Sequence, residues 1–173
     1  MKYKVLVLDL DGTLTNSKKK ITDYTKKILL NLQKKGVHIV LASGRPEYGI
    51  WPIARELELE KYGGYILAFN GGKIVECSTK KTIFERTIEY SYVQEIYEQV
   101  KDKKVALLTY ENDSLITETP KDFYVEKESF INKCLLSKLK TLDFTDFCPI
   151  FWYNDCKDFD KNKSFFLQFS YRF

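Results

Sequence analysis

Apolar residues fall into short unbroken runs over the first seventy positions, and the segments between them carry apolar side chains at helical spacing. Residues 3–8, YKVLVL, have the β-branched and leucine-rich character of a strand covered on both faces in a parallel sheet. Thr22 is a suitable N-cap, Tyr24, Ile28, Leu29 and Leu32 form an apolar helical face, and Gly36 after Lys34-Lys35 is a good stop. VHIVLA, residues 37–42, predicts a second buried strand with SGRP as its exit loop. IARELEL predicts part of a second helix whose first turn accommodates Pro52. GYILAFNGG predicts a third strand over residues 65–69, ending at Asn70-Gly71. This alternation implies a right-handed parallel α/β layer.

The pattern changes after Gly72. KIVEC and TIFERTI predict two short strands around a Ser-Thr-Lys-Lys turn, followed by a helix over SYVQEIYEQVKD and strands at VALLTY and SLITET. Another helix is expected within VEKESFINKCLLSKLK, residues 125–140. Strand pairs and helices without strict alternation indicate an α+β module. The expected division is therefore residues 1–82 and 83–173, with an irregular or disordered tail after residue 144, where aromatic residues follow no period.

Composition narrows the classes. With 173 residues, 44% of them hydrophobic, the chain can bury a core. Its 28 basic and 24 acidic residues give a net charge of +4, too balanced to indicate a nucleic-acid partner. The Lys18-Lys19-Lys20 run reads as a solvated loop. No apolar stretch approaches the roughly twenty residues that span a bilayer, so no membrane partner is expected. The four cysteines, Cys77, Cys134, Cys148 and Cys156, show no C-x-x-C spacing, and no signal peptide opens the chain. A reduced, cytoplasmic location is the expectation.

In parallel α/β sheets, ligands bind beyond the carboxyl ends of the strands, where Asp9, Ser43 and Asn70 all fall. Asp9 could attack phosphorus if a divalent cation offset the repulsion between two anions. Asp11, two residues on, lies on the same side of an extended chain and could handle protons. Gly12 permits a sharp turn, and Thr13 can hydrogen-bond locally to steady it. The two acids equally suit a plain turn. Ser43, Gly44 and Arg45, just before a helix start, add a hydroxyl, a closely approachable amide and a guanidinium, a set suited to phosphate oxygens.

In this order and spacing, DLDGTLTNS, LASGRP and AFNGG resemble the first half of the haloacid dehalogenase superfamily, in particular its Cof-like sugar-phosphate phosphatases. The resemblance implies half of a parallel Rossmann-like core, followed by an inserted α+β cap that closes over the leaving group. It implies a small phosphorylated substrate hydrolysed through an aspartyl-phosphate on Asp9, with Asp11 as general acid and then base. It further implies Mg²⁺ held by the Asp9 carboxylate and the Asp11 main-chain carbonyl. Ser43 would bind the transferring phosphoryl group, with Thr13, Gly44, Arg45, Asn70 and Gly71 completing the phosphate and substrate contacts.

Such enzymes also carry a later phosphate-neutralising lysine and a G-D-x-x-N-D metal loop. No Gly-Asp dipeptide occurs in this chain, and its Asn-Asp pairs, Asn112-Asp113 and Asn154-Asp155, lack the residues required upstream. The alternative expectation is therefore an incomplete member that binds phosphate without turnover, truncated after the cap. Without partners on its other side, the first strand would be an exposed apolar edge inviting self-association.

Three other features point elsewhere. Asp158, Asp160 and Asn162 imitate a calcium loop, but Lys163 and Phe169 occupy the positions of its glycine and closing glutamate, so a solvated loop is expected. His38 should pack or hydrogen-bond within the second strand. Tyr90, Tyr92 and Tyr97 suit packing better than sugar stacking.

Overall fold

The parallel layer begins with β1 (Val5–Asp9), β2 (His38–Ala42) and β3 (Tyr65–Ala68), joined by α1 (Asp23–Lys34), α2 (Glu47–Glu56) and the single-turn α3 (Leu59–Tyr62). The computed structural model describes residues 3–88, 90–100, 102, 105–111, 114–138 and 151–154, and the account below concerns those residues. β1 pairs with β2 and β2 with β3, both in parallel. A 3₁₀ turn (Phe69–Gly71) then leads into antiparallel β4 (Lys73–Glu76) and β5 (Lys81–Glu85), giving the order β1-β2-β3-β4-β5. This is the α/β, Rossmann-like half-core expected.

Local chemistry accounts for the helix ends. The Thr22 side chain accepts from the Thr25 N–H, and α1 stops at Lys35, after which Gly36 takes φ +80°. The expected apolar face of α1 needs correction: Leu29 is buried, whereas Tyr24 and Ile28 are 76% and 41% exposed. The buried stripe runs through Leu29 and Gln33, and Gln33 belongs there because its Nε2 donates to the Leu57 carbonyl at 2.8 Å. α2 also starts earlier than expected, after Pro46, whose φ of −63° suits a helix entry, and Pro52 stands at its sixth position rather than in its first turn.

Ile39, Leu41, Ile50, Ala54, Leu57, Leu59, Ile66 and Val75 are fully buried and form the core of this unit. β1 departs from the two-faced burial expected of it, for Val5 and Val7 are 53% and 57% exposed. The cause is its place at the edge of the sheet, with a pairing partner on one side only among the described residues. His38 Nδ1 lies 3.0 Å from the Gly63 carbonyl, in keeping with a hydrogen-bonding role.

Residues Met1–Arg86 form one compact unit and Thr87–Phe173 another. The division falls beyond residue 82, since β5 belongs to the first sheet through its pairing with β4. The second unit contains α4 (Tyr90–Val100), β6 (Val105–Glu111), β7 (Ser114–Thr117), α5 (Phe123–Asn132), β8 (Leu135–Lys138) and β9 (Phe151–Asn154), with sheet order β8-β7-β6-β9. Asp122 caps α5 by accepting from the Tyr124 and Val125 amides. The helix expected within residues 125–140 ends at Asn132, because Lys133 turns left-handed at φ +56° and the chain leaves as a strand. Val93, Leu108, Leu115 and Val125 are buried in this unit, as is Asn132, whose Nδ2 donates to Glu128 Oε1 at 2.7 Å. The Tyr110 hydroxyl donates to the same Glu128 oxygen at 2.8 Å.

Tyr92 is 45% exposed, and the Tyr97 hydroxyl donates to Glu118. Cys77 and Cys134 are free thiols. The calcium-loop imitation at residues 158–169, Cys148, Cys156 and most of the region after residue 144 lie outside the described residues. Among the described residues, no helix is long and apolar enough to cross a membrane.

Candidate active site

Because β1, β2 and β3 are parallel, their carboxyl ends share one rim. Asp9 is the last residue of β1 and pairs in register with Ala42, the last of β2, so Ser43 leaves the sheet beside it. The chain leaving β1 folds back tightly: the Leu14 amide donates to the Asp9 carbonyl, and both the amide and hydroxyl of Thr15 donate to the Leu10 carbonyl. Gly12 takes φ +81°, which the turn requires and side chains resist. Thr13 Oγ1 donates to Asp9 Oδ2 at 3.0 Å, fixing the carboxylate from one side.

Asp11 is held more firmly. Arg45 Nε donates to Asp11 Oδ2 at 2.9 Å and Nη2 to Oδ1 at 2.6 Å, a bidentate pair between loops 34 residues apart. Lys19 Nζ adds a third contact, to Oδ1 at 2.6 Å. Partial burial pushes the Asp11 carboxyl up, but the hydrogen bonds and charges of Arg45 and Lys19 outweigh it and hold the group below its ordinary value. Arg45 itself is buried, and its Nη1 donates to the Gly49 carbonyl at 3.4 Å. Asp11 was expected beside Asp9; its ion pair with Arg45 was not.

The second and third exits are joined by main-chain bonds. Ser43 N–H donates to the Leu67 carbonyl, Asn70 N–H to the Ser43 carbonyl and Phe69 N–H to the Arg45 carbonyl. Ser43 is buried, and its Oγ accepts from the Arg45 amide at 3.2 Å. Gly44 packs closely on Asn70: a Cβ there would come within 3.0 Å of Asn70 Oδ1 and 3.1 Å of Nδ2, and the Asn70 side chain would have to give way. Phe69 and Asn70 are consecutive left-handed residues, at φ +52° and +56°, and Gly71 follows at φ +93°. Asp9 with Thr13, Asp11 with Arg45, and Ser43 and Gly44 with Asn70 are thus brought together, while Gly71 completes the last turn.

Mg²⁺ takes hard oxygens, typically one or two carboxylates completed by water and substrate phosphate, and Asp9 supplies one carboxylate. The Asp11 carboxylate is occupied by two cationic side chains, which leaves its main-chain carbonyl as the fitting contribution. No group of three or more His, Cys, Asp or Glu side chains able to hold a metal is found among the described residues.

A family model described as haloacid dehalogenase-like hydrolase matches residues 6–170, nearly the whole chain. The chain belongs to this family. Among curated relatives, YxeH of Bacillus subtilis (strain 168), whose name marks it as a candidate phosphatase, is 27% identical over 76% of this chain and 58% of its own length. A similarly named protein of Buchnera aphidicola subsp. Acyrthosiphon pisum (strain APS) is 30% identical over 85% of this chain and 50% of its own. Among solved structures, a haloacid dehalogenase-like hydrolase from Bacteroides thetaiotaomicron is 40% identical and superposes with a TM-score of 0.78 over 87% of this chain and 57% of that one. A structure described as a subclass IIB sugar phosphatase of the same superfamily shares the fold, at 21% identity and a TM-score of 0.64 over 79% of this chain and 52% of its own. The chain thus spans about half the length of these relatives.

Lys19 is the site residue that sequence reasoning missed. Its pairing with Asp11 bridges eight positions across a turn, and a run of three lysines gives no local signal that the middle one differs.

Proposed function

We propose that the chain acts on small phosphorylated metabolites, sugar phosphates first among them, as a phosphomonoester hydrolase whose nucleophile is Asp9. The observation that carries the reading is the Arg45–Asp11 bidentate pair, which joins the exit of β1 to the exit of β2 and gathers Asp9, Ser43 and Arg45 on one rim. The family supports the reaction class.

In this reading the Ser43 hydroxyl, the Gly44 amide and the start of α2, which has no side-chain cap, receive the phosphate oxygens. Thr13 orients Asp9 so that one carboxylate oxygen faces the phosphorus, and attack would form an aspartyl-phosphate as the alcohol leaves. Once its ion pairs loosen and it has taken up a proton from solvent, Asp11 would hand that proton to the leaving oxygen and later take one from water. A bound Mg²⁺, held by Asp9 and the Asp11 carbonyl, would offset charge between nucleophile and phosphate. The second unit, residues 87–173, would act as a cap that selects the leaving group. Free Cys77 and Cys134 favour a reducing, cytoplasmic setting.

The test is phosphate release from a panel of sugar phosphates with Mg²⁺, comparing the chain with Asp9→Asn. Loss of metal-dependent turnover in the variant is expected; turnover that survives the substitution overturns the assignment. A second reading, phosphate binding without turnover, is favoured by the contacts of Arg45 and Lys19 that occupy the Asp11 carboxylate. Phosphate bound tightly with no release of product would select it.

A further inference from the structure

Asp11 has more cationic partners than its geometry needs. Arg45 already satisfies both carboxylate oxygens, and it is buried and tied to Gly49, so it is fixed in place. Lys19 contributes a single contact to an oxygen that Arg45 also holds. An ammonium carries three donors, and one is used here among the described residues. The Lys19 side chain is 48% exposed and ends a flexible four-carbon stem. Lys19 is therefore the cation of this rim that can change partners.

Its base does not wander. The Asn16 side-chain oxygen accepts from the Lys18 and Lys20 amides at 2.9 and 3.2 Å, the Asn16 amide donates to the Lys20 carbonyl, and the Lys19 amide to the Asn16 carbonyl. Lys19 takes φ +58° at the tip of this turn, an unfavourable conformation that aims its side chain back toward Asp11. Buried Leu14 and Thr15 secure the preceding loop to the end of β1.

Charge supplies the reason for a second cation. Asp9 and Asp11 are balanced by Lys19 and Arg45, so a phosphate monoester dianion entering with one divalent cation leaves the rim close to neutral. Without Lys19 the same complex carries one surplus negative charge next to the phosphate, where water only partly screens it.

We propose that Lys19 is a phosphate-binding residue of this site, its ammonium passing from Asp11 to a phosphate oxygen when a phosphorylated ligand enters. The inference rests on the phosphohydrolase or phosphate-binding reading above and names the mobile cation in it. Its neighbours Lys18 and Lys20 serve as controls, since their main-chain amides shape the turn and no contact places their side chains on Asp11.

The experiment is calorimetric titration of inorganic phosphate into the full chain in magnesium buffer, for the unaltered protein and for Lys19→Met, Lys19→Arg, Lys18→Met and Ser43→Ala. A lost charge-assisted hydrogen bond predicts about tenfold weaker binding for Lys19→Met. Lys19→Arg should recover most of the affinity, Lys18→Met should lose little, and melting temperatures should stay together for the three lysine variants. Equal losses in Lys19→Met and Lys18→Met, or no loss in either while Ser43→Ala weakens binding, would overturn the role of Lys19 and leave the functional reading standing. An unaltered chain that binds no phosphate would overturn both.

Discussion

β1 and β2 lie side by side, paired residue for residue from Val5 opposite His38 to Asp9 opposite Ala42, yet they live in different solvents. On the face they share, Val7 of β1 is 57% exposed and its register partner Val40 of β2 only 8%, and on the other face Leu8 is half-buried beside fully buried Leu41. The two runs, VLVLD and HIVLA, are alike in hydrophobicity and β-branching. What separates them is position: β2 lies between two strands, and β1 has a strand on one side. Burial is thus a property of the neighbours a strand acquires, and an apolar run alone overstates it. The contrast continues into the exits, where Ser43 and Arg45 are buried and the Asp11 side chain keeps 37% of its surface in water.

The largest expected effect tests that contrast directly. Leu41→Ala should cost about 2–5 kcal/mol through its cavity, and Val7→Ala about 0.5 kcal/mol as an exposed substitution; urea denaturation of the two variants decides. Equal losses would mean that the β1 face is covered in solution.

A smaller effect is expected where the two exits meet. Asp11→Asn leaves the buried Arg45 with a weaker partner and should cost about 1 kcal/mol near neutral pH, since Asp11 is partly solvated. The Asp11 carboxyl is held below its ordinary value, so its contribution is complete above the usual aspartate pKa of about 3.9 and fades as the pH falls through the lower folded value. Melting curves of the two proteins should therefore draw together below about pH 4, and a constant gap would break the assignment.

Legibility followed the same division. Motif residues at strand ends and caps could be read from the sequence because each turn has a local chemical requirement: Gly12 and Gly71 for positive φ, Thr22 for a cap. Properties set by distant neighbours were not legible. The exposure of Tyr24, Ile28 and Val7, the burial of Gln33 against Leu57, and the meeting of Asp11 with Arg45 and Lys19 all depend on partners elsewhere in the chain or on their absence. The strand after Lys133 was hidden for another reason, because its leucines suit a helix equally well until a left-handed residue interrupts it.

Effects on association should be subtler than those on folding. Val7→Lys places a charge on the edge strand and should change stability by less than about 1 kcal/mol, while reducing self-association in light scattering over a range of concentrations. A size already monomeric and unchanged by the substitution would remove that edge as a contact between copies. Cys77 offers the finest probe: its thiol is pushed up to about 12, first by burial and then by the charges of Glu60, Glu47 and Glu76. Alkylation at pH 8 should be slow in the unaltered chain and in Val7→Lys, and faster in Leu41→Ala, whose interior opens more often.

The main-chain bonds that cross between the exits of β2 and β3 have a dynamic consequence. Ser43, Phe69 and Asn70 each donate an amide across the gap, so neither loop can peel away without breaking the other's hydrogen bonds. Deuterium should enter these three amides at a common rate governed by one cooperative opening, and the two loops should travel together as a hinged plate beneath whatever ligand they hold.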